Sequence, residues 1–301
     1  MLSCSEMFKL LVLILLVSVA QAFTQSPEKY AVFTGSGEAS SIEAVVKALD
    51  KTDVLFLGEM HDDAVGHAVQ FEIFKRAVEE YAAKRPITLS LEMFERDTQV
   101  VLDEYLSGLI SENHFLLSSR PWPNYKTDYR PLVELAKEKK LNVIAANAPR
   151  RYVNMVSRGG REALGGLSKE AKAWLAPFPY AEASEAYSKK FRSLMGPSVE
   201  AQMGLDKILS SQSLWDATMA YSVAESLKKN KGSLVLHLNG GFHTENRLGT
   251  VEHLLKYRPE ARIAVVTIRY EDDFKAFNSA KHQDTGDFVI LTDAKEPRSK
   301  R

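Results

Sequence analysis

Strands alternating with helices along most of the chain predict an α/β fold, a mainly parallel sheet with helices on both faces and a helical insertion near the C-terminal ends of the strands. Three features carry that expectation. Short apolar runs at 54–57, 87–91, 142–146, 234–238, 263–268 and 288–291 have strand length. Helical periodicity fills most of the intervals between them. The interval 160–230 alone breaks the rhythm, being rich in Ala, Glu, Lys and Leu, with Pro177, Pro179 and Pro197 marking breaks between helices.

The elements follow in order. Ser40 and Glu43 make an S-x-x-E capping box ahead of Ile42, Val45, Val46 and Leu49, the mark of an amphipathic helix start. After the strand at 54–57, Phe71, Phe74, Val78 and Tyr81 recur at helical spacing, a core-facing stripe on a helix beginning near Gly66. The strand at 87–91 precedes helical stretches around Leu102, Tyr105 and Leu106 and at 132–136, and the strand at 142–146 precedes the insertion. Beyond the run at 234–238, Leu254 and Leu255 belong to a helix feeding the run at 263–268, and 288–291 is the last strand.

Residues 1–22 read as a signal peptide: Lys9, an apolar run at 10–20, then Ala20-Gln21-Ala22 with the small-x-small pattern cut by signal peptidase. Cleavage after Ala22 would give an exported protein, periplasmic or cell-envelope associated, with an uncleaved anchor as the alternative. Residues 23–301 then form a single domain, with the insertion at about 160–230. Cys4, the only cysteine, precedes the apolar run, so the mature part has no thiol for disulfides, zinc or thiolate haem. Lys plus Arg and Asp plus Glu are balanced at 39 each, which gives no long-range attraction to nucleic acid or an anionic membrane. Any membrane association is peripheral, and the basic end at 295–301 reads as a frayed tail.

Open parallel sheets bind ligands beyond the carboxyl ends of their strands, so the polar residues that follow each apolar run are the informative ones. These are Glu59 and His61, Glu92, Asn147 with Arg150 and Arg151, and His243 after Gly240-Gly241. His61 in a strand-end loop suits a metal ligand or general base. Glu59 and Glu92 follow buried strands, where a carboxylate needs a cation, a donor or each other; for Glu92 a structural ion pair is the alternative. His67 reads as packing or capping, and His237 as core. Trp122, Tyr125 and Tyr129 gather in one loop and could flank a planar ligand, a phenolate being a possible ferric haem ligand, or simply pack together. Gln212, Trp215, Asp216 and Met219 share a helical face that either closes over the strand ends or packs on the sheet with Asp216 salt-bridged.

Five segments, LGEMHDD from Leu57, SLEMFERD from Ser90, NAPRRYV from Asn147, SLWDATMA from Ser213 and LNGGFHTENRLG from Leu238, resemble the ChaN family of haem-binding proteins, grouped in one superfamily with Tiki proteases and erythromycin esterases. The resemblance spans roughly residues 44–268. It implies an α/β sheet with a helical insertion and haem binding linked to iron acquisition, with tyrosine ligation and haem held between paired subunits. The superfamily G-x-x-H element falls on Gly58 and His61, its acidic residue on Glu92 and its later histidine on His243. No family haem tyrosine aligns clearly with Tyr125, Tyr129 or Tyr152, and the lipid-acceptor cysteine of a ChaN lipoprotein is missing.

Two functions follow. The first is an exported haem-binding protein, with Tyr125, Tyr129 or a histidine at the iron and Arg150 or Arg151 pairing a propionate. The second is a hydrolase, protease or esterase, in which His61, Glu92 and His243 hold a divalent metal, Glu59 acts as base and Arg150 steadies an oxyanion, with a metal-free variant using His61 directly. The ligand is thus haem or a small molecule or peptide, and a homodimer is the assembly expected with haem.

Overall fold

The structure is a computed structural model and describes residues 29–195 and 204–300, so the signal-peptide segment and Pro197 lie outside the described residues. Seven strands form one sheet: β1 (Tyr30–Thr34), β2 (Val54–Glu59), β3 (Ile87–Glu95), β4 (Asn142–Asn147), β5 (Leu234–Gly240), β6 (Ile263–Glu271) and β7 (Phe288–Asp293). Their order is β1-β7-β6-β2-β5-β3-β4. Every pairing is parallel except that of β1 with β7. All six expected strands are present. β1 adds a seventh that the apolar runs did not reveal, because it is a half-buried edge strand with only Val32 and Phe33 in the core.

The eleven α-helices among the described residues are α1 (Ile42–Ala48), α2 (Ala64–Tyr81), α3 (Gln99–Leu106), α4 (Glu112–Ser119), α5 (Arg130–Glu138), α6 (Arg150–Gly159), α7 (Lys169–Lys172), α8 (Glu185–Met195), α9 (Leu205–Lys229), α10 (Thr250–Tyr257) and α11 (Ser279–His282). The cap of α1 is Ser41, whose hydroxyl accepts from Ala44 N at 3.2 Å, not Ser40, whose backbone N–H is committed to Val32 O in the edge strand. Side chains alternate along β2. Leu55 and Leu57 face Ile73, Phe74 and Ala77 of α2, while Val54 and Phe56 face Ala220, Val223 and Leu227 of α9 with Val251 and Leu254 of α10. The helix-rich interval therefore includes the crossover between β4 and β5, since the C-terminal half of α9 covers the sheet and its N-terminal half continues past the strand ends.

Two details govern the sheet margins. At the outer edge, the Gln99 side chain donates to Val143 O at 2.9 Å and accepts from Ala145 N at 2.7 Å, taking the place of a neighbouring strand. The tail at 295–300 is not frayed: Ser299 N donates to Asp62 O at 2.9 Å, and the Arg298 guanidinium stacks 3.6 Å from the Tyr270 ring centroid. Beside it, Thr292 Oγ1 donates to the buried Asp63 Oδ2 at 2.6 Å. The chain end thus holds the loop between β2 and α2. No described helix is long and apolar enough to cross a membrane.

Candidate functional site

Because β2 to β6 run parallel, their carboxyl ends share one edge of the sheet, and a cavity of about 760 Å3 opens there, within the usual range for ligand sites. His61, Glu92, Asn147, Arg150 and His243 line it together with Trp122 and Trp215. Five polar residues drawn from four separate segments of sequence thus meet around one space. Glu92 lies inside β3 rather than after it, where the register with β4 shifts between Leu91 and Glu95. There its Oε2 accepts from Gly240 N at 2.7 Å. Burial pushes the Glu92 carboxyl up from its ordinary value, against the opposing pull of His243.

Two imidazole–carboxylate pairs flank this carboxyl. In the first, His61 Nδ1 and Glu59 Oε1 are 2.8 Å apart. Glu59, the last residue of β2, also accepts from Tyr129 OH at 2.6 Å. His61 Nε2 has no hydrogen-bond partner among the described residues. The Trp122 ring packs edge-on against His61 at 4.7 Å, and the imidazole lies over the bare backbone of Gly240, where a Cβ would come within 2.8 Å of it. In the second pair, His243 Nδ1 is 2.8 Å from Asp216 Oδ1, which also accepts from Thr250 Oγ1 at 2.7 Å. Burial pulls His243 down, but the charges of Asp216 and Glu92 outweigh it and hold the imidazole up at about 9.

Behind the first pair the charge network continues inward. His67 Nδ1 is 3.4 Å from Glu59 Oε2 and its Nε2 is 3.5 Å from Asp128 Oδ2. Burial lowers the His67 pKa, but Glu59 and then Asp128 raise it to about 9. His67 is therefore more than a packing residue. Asn124 ties the network to the loop, donating to Asp128 Oδ2 at 2.6 Å and His61 O at 3.1 Å.

The expected haem tyrosines do not reach the cavity. Tyr125 is packed among Phe94 and Phe115, with its hydroxyl buried and unpartnered. Tyr129 is fully buried and spends its hydroxyl on Glu59. Burial raises both phenols far above the ordinary value, opposing the phenolate that iron ligation needs. Both stand on a single π-type turn, Tyr125–Tyr129, which turns their rings inward and leaves Trp122 at the cavity. Arg150 is 66% exposed on the rim, 3.6 Å from Glu95. Arg151 does not line the cavity; it pairs with Asp97 and stacks on Tyr152. Tyr152 packs with Val153 and Leu214. Among the described residues no three His, Asp or Glu side chains converge as metal ligands, so His61, Glu92 and His243 share a cavity without a preformed ion site. Sequence reasoning left Asp216 undecided and missed Asp128, for neither the partner histidine nor the distance between segments is visible in one dimension.

Residues 45–254 match the family described as haem-binding uptake, Tiki superfamily, ChaN. The chain belongs to the ChaN family. The five motifs that suggested this resemblance lie within that match. Among solved structures, ChaN of Campylobacter jejuni, described as binding haem cofacially, superposes with a TM-score of 0.68 at 21% identity, covering 90% of this chain and 99% of that one. A succinoglycan biosynthesis protein has a TM-score of 0.53 at 11% identity, covering 86% and 92%. An erythromycin esterase mutant has a TM-score of 0.48 at 12% identity, covering 81% and 77%. No curated protein matches the chain at a significant level. The likeness to the Campylobacter structure shows that the fold is shared.

Proposed function

We propose that the protein is an exported haem-binding protein of iron acquisition, with haem held in the strand-end cavity and His61 facing the iron. The observation that carries this reading is the Glu59–His61 pair. A carboxylate on Nδ1 fixes the imidazole tautomer and leaves Nε2 with its lone pair free, the arrangement that orients histidine ligands of metals. The residues present fit a large planar group: the cavity has the volume, Trp122 and Trp215 offer aromatic walls, and the Arg150 guanidinium stands on the rim for a carboxylate side arm. Bound haem would supply an iron centre, which His61 would hold. The chain's own residues orient the imidazole, exclude water through the two indoles and neutralise acidic side arms at Arg150.

The haem-binding family and the cofacial haem described for the Campylobacter protein support the ligand, and we propose a homodimer enclosing haem between two such cavities. Export rests on the pattern at 1–22, and residues 23–301 serve as one domain. Hemin titration of the purified chain, followed by absorbance, tests the proposal. A saturable Soret shift is expected, weakened about tenfold or more in His61→Ala. A titration without saturation would overturn it.

A second reading is favoured by a specific feature: two oriented imidazoles on either side of a carboxyl whose pKa is raised. That set can activate water through His61, donate a proton from Glu92 and steady an oxyanion at Arg150. A divalent metal on His61, Glu92 and His243 would require those side chains to draw together. Hydrolysis of a p-nitrophenyl ester that disappears in both His61→Ala and Glu92→Gln, with no response to hemin, would replace the haem reading with this one.

A further inference from the structure

Helix α6 starts at the rim of the strand-end cavity without a cap. Its N-cap is Pro149, which has no side-chain acceptor, and the backbone N–H groups of Arg150 and Arg151 have no acceptor among the described residues. Arg150, Val153, Asn154 and Ser157 all line the cavity, so one face of the helix lies along the wall and its first turn stands at the opening. The aligned peptide dipoles place partial positive charge at that end.

A second group serves the same place. Asn147, the last residue of β4, is 7% exposed and also lines the cavity. Its Oδ1 accepts from Ala148 N at 2.9 Å, and because a backbone N–H can only donate, the orientation of the amide is fixed. Nδ2 is therefore turned the other way, where it has no partner among the described residues and is not sealed from the cavity. The charges nearby favour an anion. Glu92 is the one carboxylate on the described wall, and it is answered locally by Gly240 N at 2.7 Å and His243 Nε2 at 3.9 Å. On the rim, three guanidiniums, Arg120, Arg150 and Arg151, meet two carboxylates, Glu95 and Asp97, which leaves an excess of positive charge.

We propose that Asn147 Nδ2 and the uncapped N–H groups of Arg150 and Arg151 form a seat for a carboxylate, with the Arg150 guanidinium as its outer wall. A ligand enters with its acid group at α6 and its apolar body against Trp122 and Trp215. The seat deepens the haem reading and rests on it only for the identity of the ring, since a haem side arm and a free organic carboxylate share this chemistry.

Sodium acetate titrated into the ligand-free protein at constant ionic strength, followed by backbone amide NMR, tests the seat without haem. The Arg150 and Arg151 resonances should shift saturably in acetate and not in equal concentrations of chloride. Asn147→Asp keeps the acceptor for Ala148 N but replaces the donor with negative charge, and should weaken acetate binding about tenfold or more. Arg150→Gln, a change at an exposed side chain that leaves the backbone N–H in place, should weaken it about threefold, and it decides the matter if Asn147→Asp fails to fold by circular dichroism. No saturable shift into the hundreds of millimolar would overturn the proposal, whatever hemin does. So would the same shift from chloride, or unchanged affinity in a folded Asn147→Asp or, failing that, in Arg150→Gln. Hemin and its dimethyl ester, titrated in parallel, identify the occupant. Tighter binding of hemin than of the ester, lost in Asn147→Asp, assigns the seat to a haem side arm, whereas equal binding assigns it to a free carboxylate. Hemin that fails to saturate removes the haem reading and leaves the seat to stand or fall on acetate.

Discussion

The Asp216–His243 pair gives stability a pH dependence of definite sign. His243 rises from 6.5 to about 9 on folding, and each pKa unit is worth about 1.4 kcal/mol, so its protonation contributes up to about 3 kcal/mol. Because the folded value is the higher one, that contribution is complete below the unfolded pKa of 6.5 and is lost as the pH rises through about 9. His67, also held at about 9, adds a loss of the same sign in the same window. In Asp216→Asn the main charge holding His243 up is gone and burial is less opposed, so its share of the pH dependence disappears. His67 keeps its own share, and the decline is about halved. The variant also loses about 3–5 kcal/mol at neutral pH, the usual result of removing one partner from a buried pair. Urea unfolding followed by far-ultraviolet circular dichroism, at half-unit steps across the window, measures both effects. A wild-type stability that is flat from pH 6.5 to 9, or an Asp216→Asn decline as steep as the wild type, would refute the assignment.

Two tyrosines on one turn should respond in opposite ways. Tyr129→Phe removes a donor from the buried Glu59 and is expected to cost about 2 kcal/mol in urea unfolding, whereas Tyr125→Phe removes an unpartnered buried hydroxyl and should be neutral or stabilising. Equal losses would contradict the hydrogen-bond assignment. Gly240→Ala places a Cβ within 2.8 Å of the His61 ring, so hemin affinity should fall while the circular dichroism spectrum is kept. Unchanged affinity would show that the imbalance is absorbed without moving His61.

The parallel core was legible because buried strands write themselves as unbroken apolar runs, and the rule that ligands gather beyond their carboxyl ends located His61, Glu92, Arg150 and His243 on one cavity. Elements with weaker signatures escaped. β1 is half-buried at an edge, and α4 carries its apolar Leu117 to solvent, so neither shows a clean period. The tyrosines misled for a different reason. Composition records that aromatic rings cluster at 122–129, but the π-type turn decides which ring meets the cavity and which the core, and one extra backbone residue in a turn leaves no mark in the sequence. The tail misled similarly: a basic segment reads as solvated until the buried Asp63 and the exposed face of Tyr270 give it somewhere to bind.

The last strand, β7, and the tail beyond it bear on the order in which the protein is built. The loop carrying His61 receives Thr292 across a separation of 229 residues, and contacts of such length close late because the intervening chain must first be arranged. The loop carrying His61 is therefore expected to become rigid late. A ligand arriving before these residues have docked would meet a site whose central imidazole is still unanchored.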